Sequence, residues 1–412
     1  MFKTLKQKIT MTLGLIGPGL FLIGYNIGTG SITTMAKAGA EYGMSLFWAL
    51  ILSCIFTYIL MVAYGQVTLV SGKTALFNIK QNIKFGKPIA LYILVSLIIG
   101  EVLALMGVMG IAADLLQEGI RLAGNGIVIS TVTITAVIIV ALFLLLYNGR
   151  YALFEKLLSG VVIIMGLSFV MVLFLIKPDF IEIGKGMIPE IPNKPGSFAL
   201  IAAIVGTTCS AAVFVVRSIV VSEKGWGISD LKTEKRDAFV SAFMMLFLSG
   251  CIMAVAAGTL YVAGKNLDNT LDLIILFEPI GGKFAAFLLI FGITSAAIST
   301  VFPIILIAPW LISDYMGTSR DLKSPLFRIL GGLALLLSFG SQFIDMRPPA
   351  LMIFSQAFQA CILPAVTFPI LILINKKSIM GKHIASRKMN IGVSLVLVFG
   401  LITSYLAIID FI

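Results

Sequence analysis

Apolar stretches of about 20 residues or more, separated by short polar connectors, fill nearly the whole chain. Such a stretch has the length needed to cross the hydrocarbon core of a bilayer. In lipid the backbone must satisfy its own hydrogen bonds, so each stretch is predicted to be a helix. Eleven spans are expected, at 13–39, 44–70, 88–113, 126–147, 155–176, 197–221, 237–263, 283–312, 327–344, 349–374 and 390–410. The longest connector, 177–196, carries Pro178, Pro189, Pro192 and Pro195. The expected fold class is therefore an all-α polytopic membrane protein.

Two spans carry polar, glycine-rich midpoints. Span 1 holds Gly24, Gly28 and Gly30 beside Tyr25, Asn26, Thr29 and Ser31; span 6 holds Gly206, Thr207, Thr208, Cys209 and Ser210. Each glycine weakens a helix by about 1 kcal/mol, and Ser, Thr and Asn side chains compete for backbone groups. Both midpoints are predicted to unwind, which the membrane tolerates only where backbone is buried or lines a cavity. The breaks lie five spans apart, so the second copy enters from the opposite side. That predicts a 5+5 inverted repeat with broken helices 1 and 6 and a mid-membrane site between them. One transporter domain, 1–412, follows: repeat one at 11–178, repeat two at 195–375 and an extra helix at 390–410. Small residues in membrane helices also mark close packing, but a matched pair of breaks favours the site.

Composition sharpens this picture. Hydrophobic residues make up 59% of 412 positions and charged residues 12%, about half the charge of a soluble domain. The net charge of +11 is explained by topology rather than by nucleic acid, because no aromatic-basic interleaving or soluble domain is present. With a cytoplasmic N-terminus, 21 of the 30 Lys and Arg fall in inner loops; six (Arg121, Lys177, Lys185, Lys194, Lys265 and Arg347) fall in outer ones. This split follows the positive-inside rule. It predicts a multi-pass protein of the plasma or inner cell membrane, surrounded by lipid, with the C-terminus outside. Lys3, Lys6 and Lys8 before an apolar run imitate a signal peptide, but no small-residue cleavage site follows. Cys54, Cys209, Cys251 and Cys361 form no CxxC and lie in apolar segments, so neither a disulfide framework nor a zinc ribbon is expected. A channel would need a polar lining along a whole span. An enzyme would need a nucleophile–base pair or a metal cluster, and no span carries one.

The segment GPGLFLIGYNIGTGSITTMAKAGAEYG resembles the first span of the NRAMP divalent-metal transporters without a gap. The resemblance continues through Gly206–Ser218, ITSAAIST at 293–300 and FSQAFQACILP at 354–364. It implies a LeuT-type fold, eleven spans and alternating access. The chemistry departs from the family. Where the family has Asp-Pro-Gly-Asn, this chain has Gly28, Thr29, Gly30 and Ser31. Where it has Met-Pro-His, this chain has Ser210, Ala211 and Ala212. A second family histidine falls on Arg217, and two span 3 acids fall on Val108 and Ile111. Carboxylate, imidazole and thioether ligands for a divalent metal are thus absent from both breaks, and no metal site is assigned.

What remains at the breaks is neutral and polar: freed backbone, Tyr25, Asn26, Gly28, Thr29, Gly30, Ser31, Thr207, Thr208, Cys209 and Ser210, with Gln356 of span 10. Gln356 matches a family glutamine of the ion site, or alternatively makes an interhelical hydrogen bond. This inventory suits a monovalent cation, a neutral solute or a zwitterion. Ala296, Ser299 and Thr300 resemble the small-x-x-Ser/Thr-Ser/Thr segment that binds sodium in sodium-coupled LeuT-type proteins. Glu101, which matches a family span 3 glutamate, is expected to interact with Arg217 directly or through water, either as a structural pair or as a proton-linked one. No cofactor is expected beyond Na⁺ or H⁺ as coupling ion. The reading is a secondary active transporter of a small cation or polar solute. Its alternatives are the family's proton-coupled divalent-metal transport and sodium-coupled uptake of an organic solute or amino acid.

Overall fold

A computed structural model describes residues 28–124, 126–148, 151–318, 320–321 and 323–411. Among them the chain is helical, without strands. In order, the helices are α1 (Thr29–Tyr42), α2 (Phe47–Ser71), α3 (Ala75–Asn82), α4 (Gly86–Ala123), α5 (Thr131–Asn148), α6 (Tyr151–Ile176), α7 (Phe180–Lys185), α8 (Ser197–Thr208) and α9 (Ala211–Glu223). They continue with α10 (Leu231–Ala256), α11 (Gly282–Met316), α12 (Pro325–Ser338), α13 (Pro348–Leu373), α14 (Lys377–Met380) and α15 (Arg387–Phe411). Helices stand at the places of predicted spans 2 to 11. Among the described residues, eight helical stretches, α8 and α9 taken together, are long and apolar enough to cross a membrane, and Thr131–Tyr147 and Ile163–Ile176 are shorter apolar helices. The first half of span 1, with Tyr25 and Asn26, lies outside the described residues.

Burial separates the centre of the bundle from its rim. The α8–α9 stretch is 94% buried along its most apolar window, whereas α15 is 28% buried. On α15, Leu395, Val398, Leu401, Ile402 and Tyr405 all lie exposed. So large an exposed apolar face fits a hydrocarbon surround rather than water. Around the centre, α4 packs on α11 and α13, α8 on α13, and α10 on α1 and α2. The 177–196 connector is held over the α1–α2 turn: the Tyr42 hydroxyl donates to the Pro195 carbonyl at 2.9 Å, and the Trp48 indole to that of Glu190 at 2.9 Å.

Prolines inside α11 and α13 free the carbonyls one turn before them. Pro364 withdraws the amide that would bond Ala360, and the Ser404 hydroxyl donates to that carbonyl at 3.2 Å. Pro303 does the same to Ser299 of α11, beside the segment expected to hold a coupling ion.

The structure adds two features to the predicted spans. Helix α3 forms within the connector between spans 2 and 3. Helix α10 starts at Leu231, six residues before the predicted boundary, behind a short 3₁₀ turn in which Asp230 accepts from the Gly227 amide at 3.0 Å. The earlier start draws Glu234 and Asp237 into the buried part of the helix, and this changes the partner of Arg217.

Candidate functional site

Span 6 is interrupted where its polar midpoint lies, but late in it. Helix α8 runs through Gly206 to Thr208; Cys209 (φ −103°, ψ 45°) and Ser210 (φ −64°, ψ 130°) leave the helical path, and α9 begins at Ala211. Helix α1 begins at Thr29, with Gly28 extended (φ −86°, ψ −167°) before it. Neither Gly28 nor Ser210 supplies a side-chain cap. The first amides of α1 and α9 and the last carbonyls of α8 therefore lack intrahelical partners, and the three termini converge.

Side chains join the start of α1 to the α8–α9 interruption. The Ser31 and Thr207 hydroxyls are 2.9 Å apart, and the Thr57 hydroxyl of α2 donates to the Thr208 carbonyl at 2.8 Å. The Thr29 hydroxyl is buried without a hydrogen-bond partner. Between them lies a cavity of about 30 Å³, lined among others by Gly30, Glu101, Thr207, Ser210, Thr300 and Gln356. It has room for one or two waters or a bare ion. Cys209 is buried beside it but is not part of the lining.

The glycines at the start of α1 are explained by their neighbours. A Cβ on Gly28 would lie 2.3 Å from the Thr300 hydroxyl oxygen, and one on Gly30 would lie 2.8 Å from the Gln356 amide nitrogen. Thr300 thus fills the space into which an aspartate at position 28 would project. Gly28→Asp alone is expected to destabilise the protein by roughly 1–3 kcal/mol through overpacking. Thermal unfolding in detergent measures this, and Thr300→Ala in the same chain should relieve it.

Of the residues expected to serve a coupling ion, Thr300 reaches the cavity, and the Ser299 and Thr300 hydroxyls both donate to the Ala296 carbonyl, at 2.9 and 2.6 Å. Glu101 also faces the cavity, 3% exposed, and accepts from the Gln359 amide at 2.6 Å. It does not pair with Arg217. Arg217 instead sits 3.0 Å from Glu234 and 2.6 Å from Asp237 of α10, all three buried. The expectation of a direct Glu101–Arg217 pair is therefore corrected: the guanidinium lies on α9 beyond the break, next to the early turns of α10. Nor is the site as neutral as the two midpoints alone suggest, since Glu101 brings a carboxylate to it.

Sequence reasoning overlooked Met352 and Gln359, which also line the cavity. Their signal was spacing: Met352, Gln356 and Gln359 are four and three residues apart on α13 and so share a face. The Gln356 amide lies 3.5 Å from the Met352 sulfur.

Residues 19–410 match the family model described as natural resistance-associated macrophage protein-like, Nramp. The chain belongs to the Nramp family. The solved manganese transporter of Eremococcus coleocola, in complex with an aromatic bis-isothiourea substituted compound, shares its fold: TM-score 0.74 at 14% identity, over 97% of this chain and 86% of that one. MHP1, a nucleobase-cation-symport-1 family transporter in a closed conformation with bromovinylhydantoin bound, aligns with TM-score 0.59 at 17% identity, over 96% of this chain and 91% of that one. This Nramp protein is a multi-pass membrane protein of the LeuT-type fold and a secondary transporter.

Proposed function

We propose that this Nramp protein moves a small cation by alternating access, with the cation seated in the cavity between the start of α1 and the α8–α9 interruption. The observation that carries this reading is the lining: one carboxylate, Glu101, among hydroxyls and carboxamides, with no Lys, Arg or His among its described residues. Helix termini supply further carbonyls and amides at the same point. The size of the cavity supports an ion over an amino acid. The α8–α9 interruption of span 6, facing the start of α1, supports an inverted repeat of spans 1–5 against 6–10, which rocks around a fixed central site. The N-terminus is assigned to the cytoplasm by the charge of the loops.

The missing aspartate at Gly28, with Thr300 in its place, argues against selectivity for transition metals. A divalent metal is the second reading. The Met352 sulfur and the Glu101 carboxylate face one cavity, and the Eremococcus coleocola neighbour is named a manganese transporter.

The test is uptake by proteoliposomes of the full chain with Na⁺, Mn²⁺ and Mg²⁺. Monovalent-cation flux or monovalent-driven flux is expected, and Glu101→Gln should lower the initial rate about tenfold or more, a barrier change of roughly 1.4 kcal/mol. Unchanged uptake in Glu101→Gln would sink the assignment of the cavity. Saturable Mn²⁺ uptake with no monovalent effect would favour the second reading.

A further inference from the structure

We infer that Na⁺ binds in this cavity at the carboxamide oxygen of Gln359, attracted by the Glu101 carboxylate that orients that carboxamide, with the Thr207 and Thr300 hydroxyl oxygens contributing to an all-oxygen shell. The inference rests on the cavity being the transport site and adds the class of ion, whether that ion is cargo or coupling partner.

Gln359 carries the argument. It is 2% exposed, and its amide nitrogen donates to Glu101 Oε1 at 2.6 Å. A carboxamide that turns its nitrogen to a carboxylate turns its oxygen the other way. That oxygen is buried with no hydrogen-bond partner, in a side chain that lines the cavity. An acceptor left bare in a membrane protein's interior is costly, and a cation would satisfy it. The Thr300 hydroxyl proton is committed to the Ala296 carbonyl, so the same oxygen has lone pairs to offer a cation. Pro303, one turn along α11, leaves the Ser299 carbonyl without its helical donor.

Charge and size select the ion. The one carboxylate among the described lining residues favours a cation over an anion or a neutral solute. Mg²⁺ demands a near-ideal octahedron and keeps several waters, which a cavity of about 30 Å³ cannot hold. Carboxylate, carboxamide and hydroxyl oxygens are hard ligands, poorly matched to soft metals.

The test reads binding without transport. The purified full chain in detergent is titrated with NaCl against KCl and choline chloride, at fixed ionic strength and fixed pH, while its unfolding temperature is followed. A ligand that binds the folded state raises that temperature saturably. Na⁺ is expected to do so, and KCl and choline chloride are not. Gln359→Leu is expected to weaken the apparent Na⁺ affinity about 10-fold or more, the loss of one good oxygen ligand. Thr300→Val should weaken it in the same direction, and decides the matter if Gln359→Leu does not fold. If neither folds, the wild-type titration alone decides. No Na⁺-specific shift, a shift that follows pH and ignores Na⁺, or wild-type Na⁺ affinity in a folded variant would overturn the inference. Na⁺ binding without any uptake would count against the transport reading and leave the ion site standing. Uptake without a Na⁺-specific shift would do the reverse.

Discussion

Arg217→Met is expected to be among the most destabilising single substitutions in this protein, at about 3–5 kcal/mol. Arg217 is fully buried on α9, with Nη2 3.0 Å from Glu234 Oε1 and Nη1 2.6 Å from Asp237 Oδ2. The same Nη2 also donates to the Glu234 backbone carbonyl at 3.3 Å. Helix α2 closes over the cluster: a Cβ on Gly65 would lie 2.1 Å from Glu234 Oε1. Removing the guanidinium leaves two carboxylates facing each other without water. Breaking a buried pair is expensive for that reason, whereas replacing the whole group by neutral side chains is often tolerated. The triple variant Arg217→Met, Glu234→Gln, Asp237→Asn should therefore recover most of the lost stability. Arg217→Lys should fall between, because an ammonium is a point charge and cannot hold both carboxylates in the planar fork of a guanidinium. Unfolding temperature in detergent, followed by tryptophan fluorescence, checks all three. A single variant as stable as the parent, or a triple variant worse than the single, would contradict this account.

The misassigned partner of Arg217 shows where sequence reading fails in such a chain. Hydropathy locates apolar helices well, because a lipid-crossing segment must satisfy its own backbone and needs a minimum length. Helices accordingly stand at the places of spans 2 to 11. Hydropathy does not locate the polar ends of those helices. Glu234 sits in a charged stretch with Lys232, Lys235 and Arg236, which reads as a loop ahead of the span predicted from Asp237, although it forms the first turns of α10. Glu101 stood out as an isolated acid in an apolar span, but its partner could not be read from that. Gln359 drew no reading from the sequence, and only three-dimensional packing brings it to Glu101. The interruption in span 6 was legible from its Gly-Thr-Thr-Cys-Ser run, since those residue types weaken a helix locally. Its position was less so: the helix continues to Thr208, and the glycine that suggested unwinding is instead a packing contact.

That contact makes Gly206→Ala the second variant of large expected effect. Gly206 lies inside α8 where α13 crosses it, and a Cβ there would stand 1.7 Å from the Gln356 carbonyl oxygen and 2.6 Å from its carbonyl carbon. Both atoms are backbone, so no rotamer change can clear the space, and the two helices must separate. The cost should exceed the roughly 1–3 kcal/mol typical of an extra methyl group in a packed core. Because Gln356 and Gln359 ride on the displaced helix, transport should fail along with stability. Gly30→Ala provides the contrast. Its Cβ would stand 2.8 Å from the Gln356 amide nitrogen, the far end of a flexible side chain. Swinging Gln356 aside relieves that clash with little loss of stability, yet it moves a group that lines the cavity. Gly206→Ala is therefore expected to lower both unfolding temperature and uptake, and Gly30→Ala uptake far more than unfolding temperature. Equal losses of stability in the two variants would mean that the α8–α13 approach is looser than this geometry. Full uptake by Gly30→Ala would mean that Gln356 does not help to form the path of the ion.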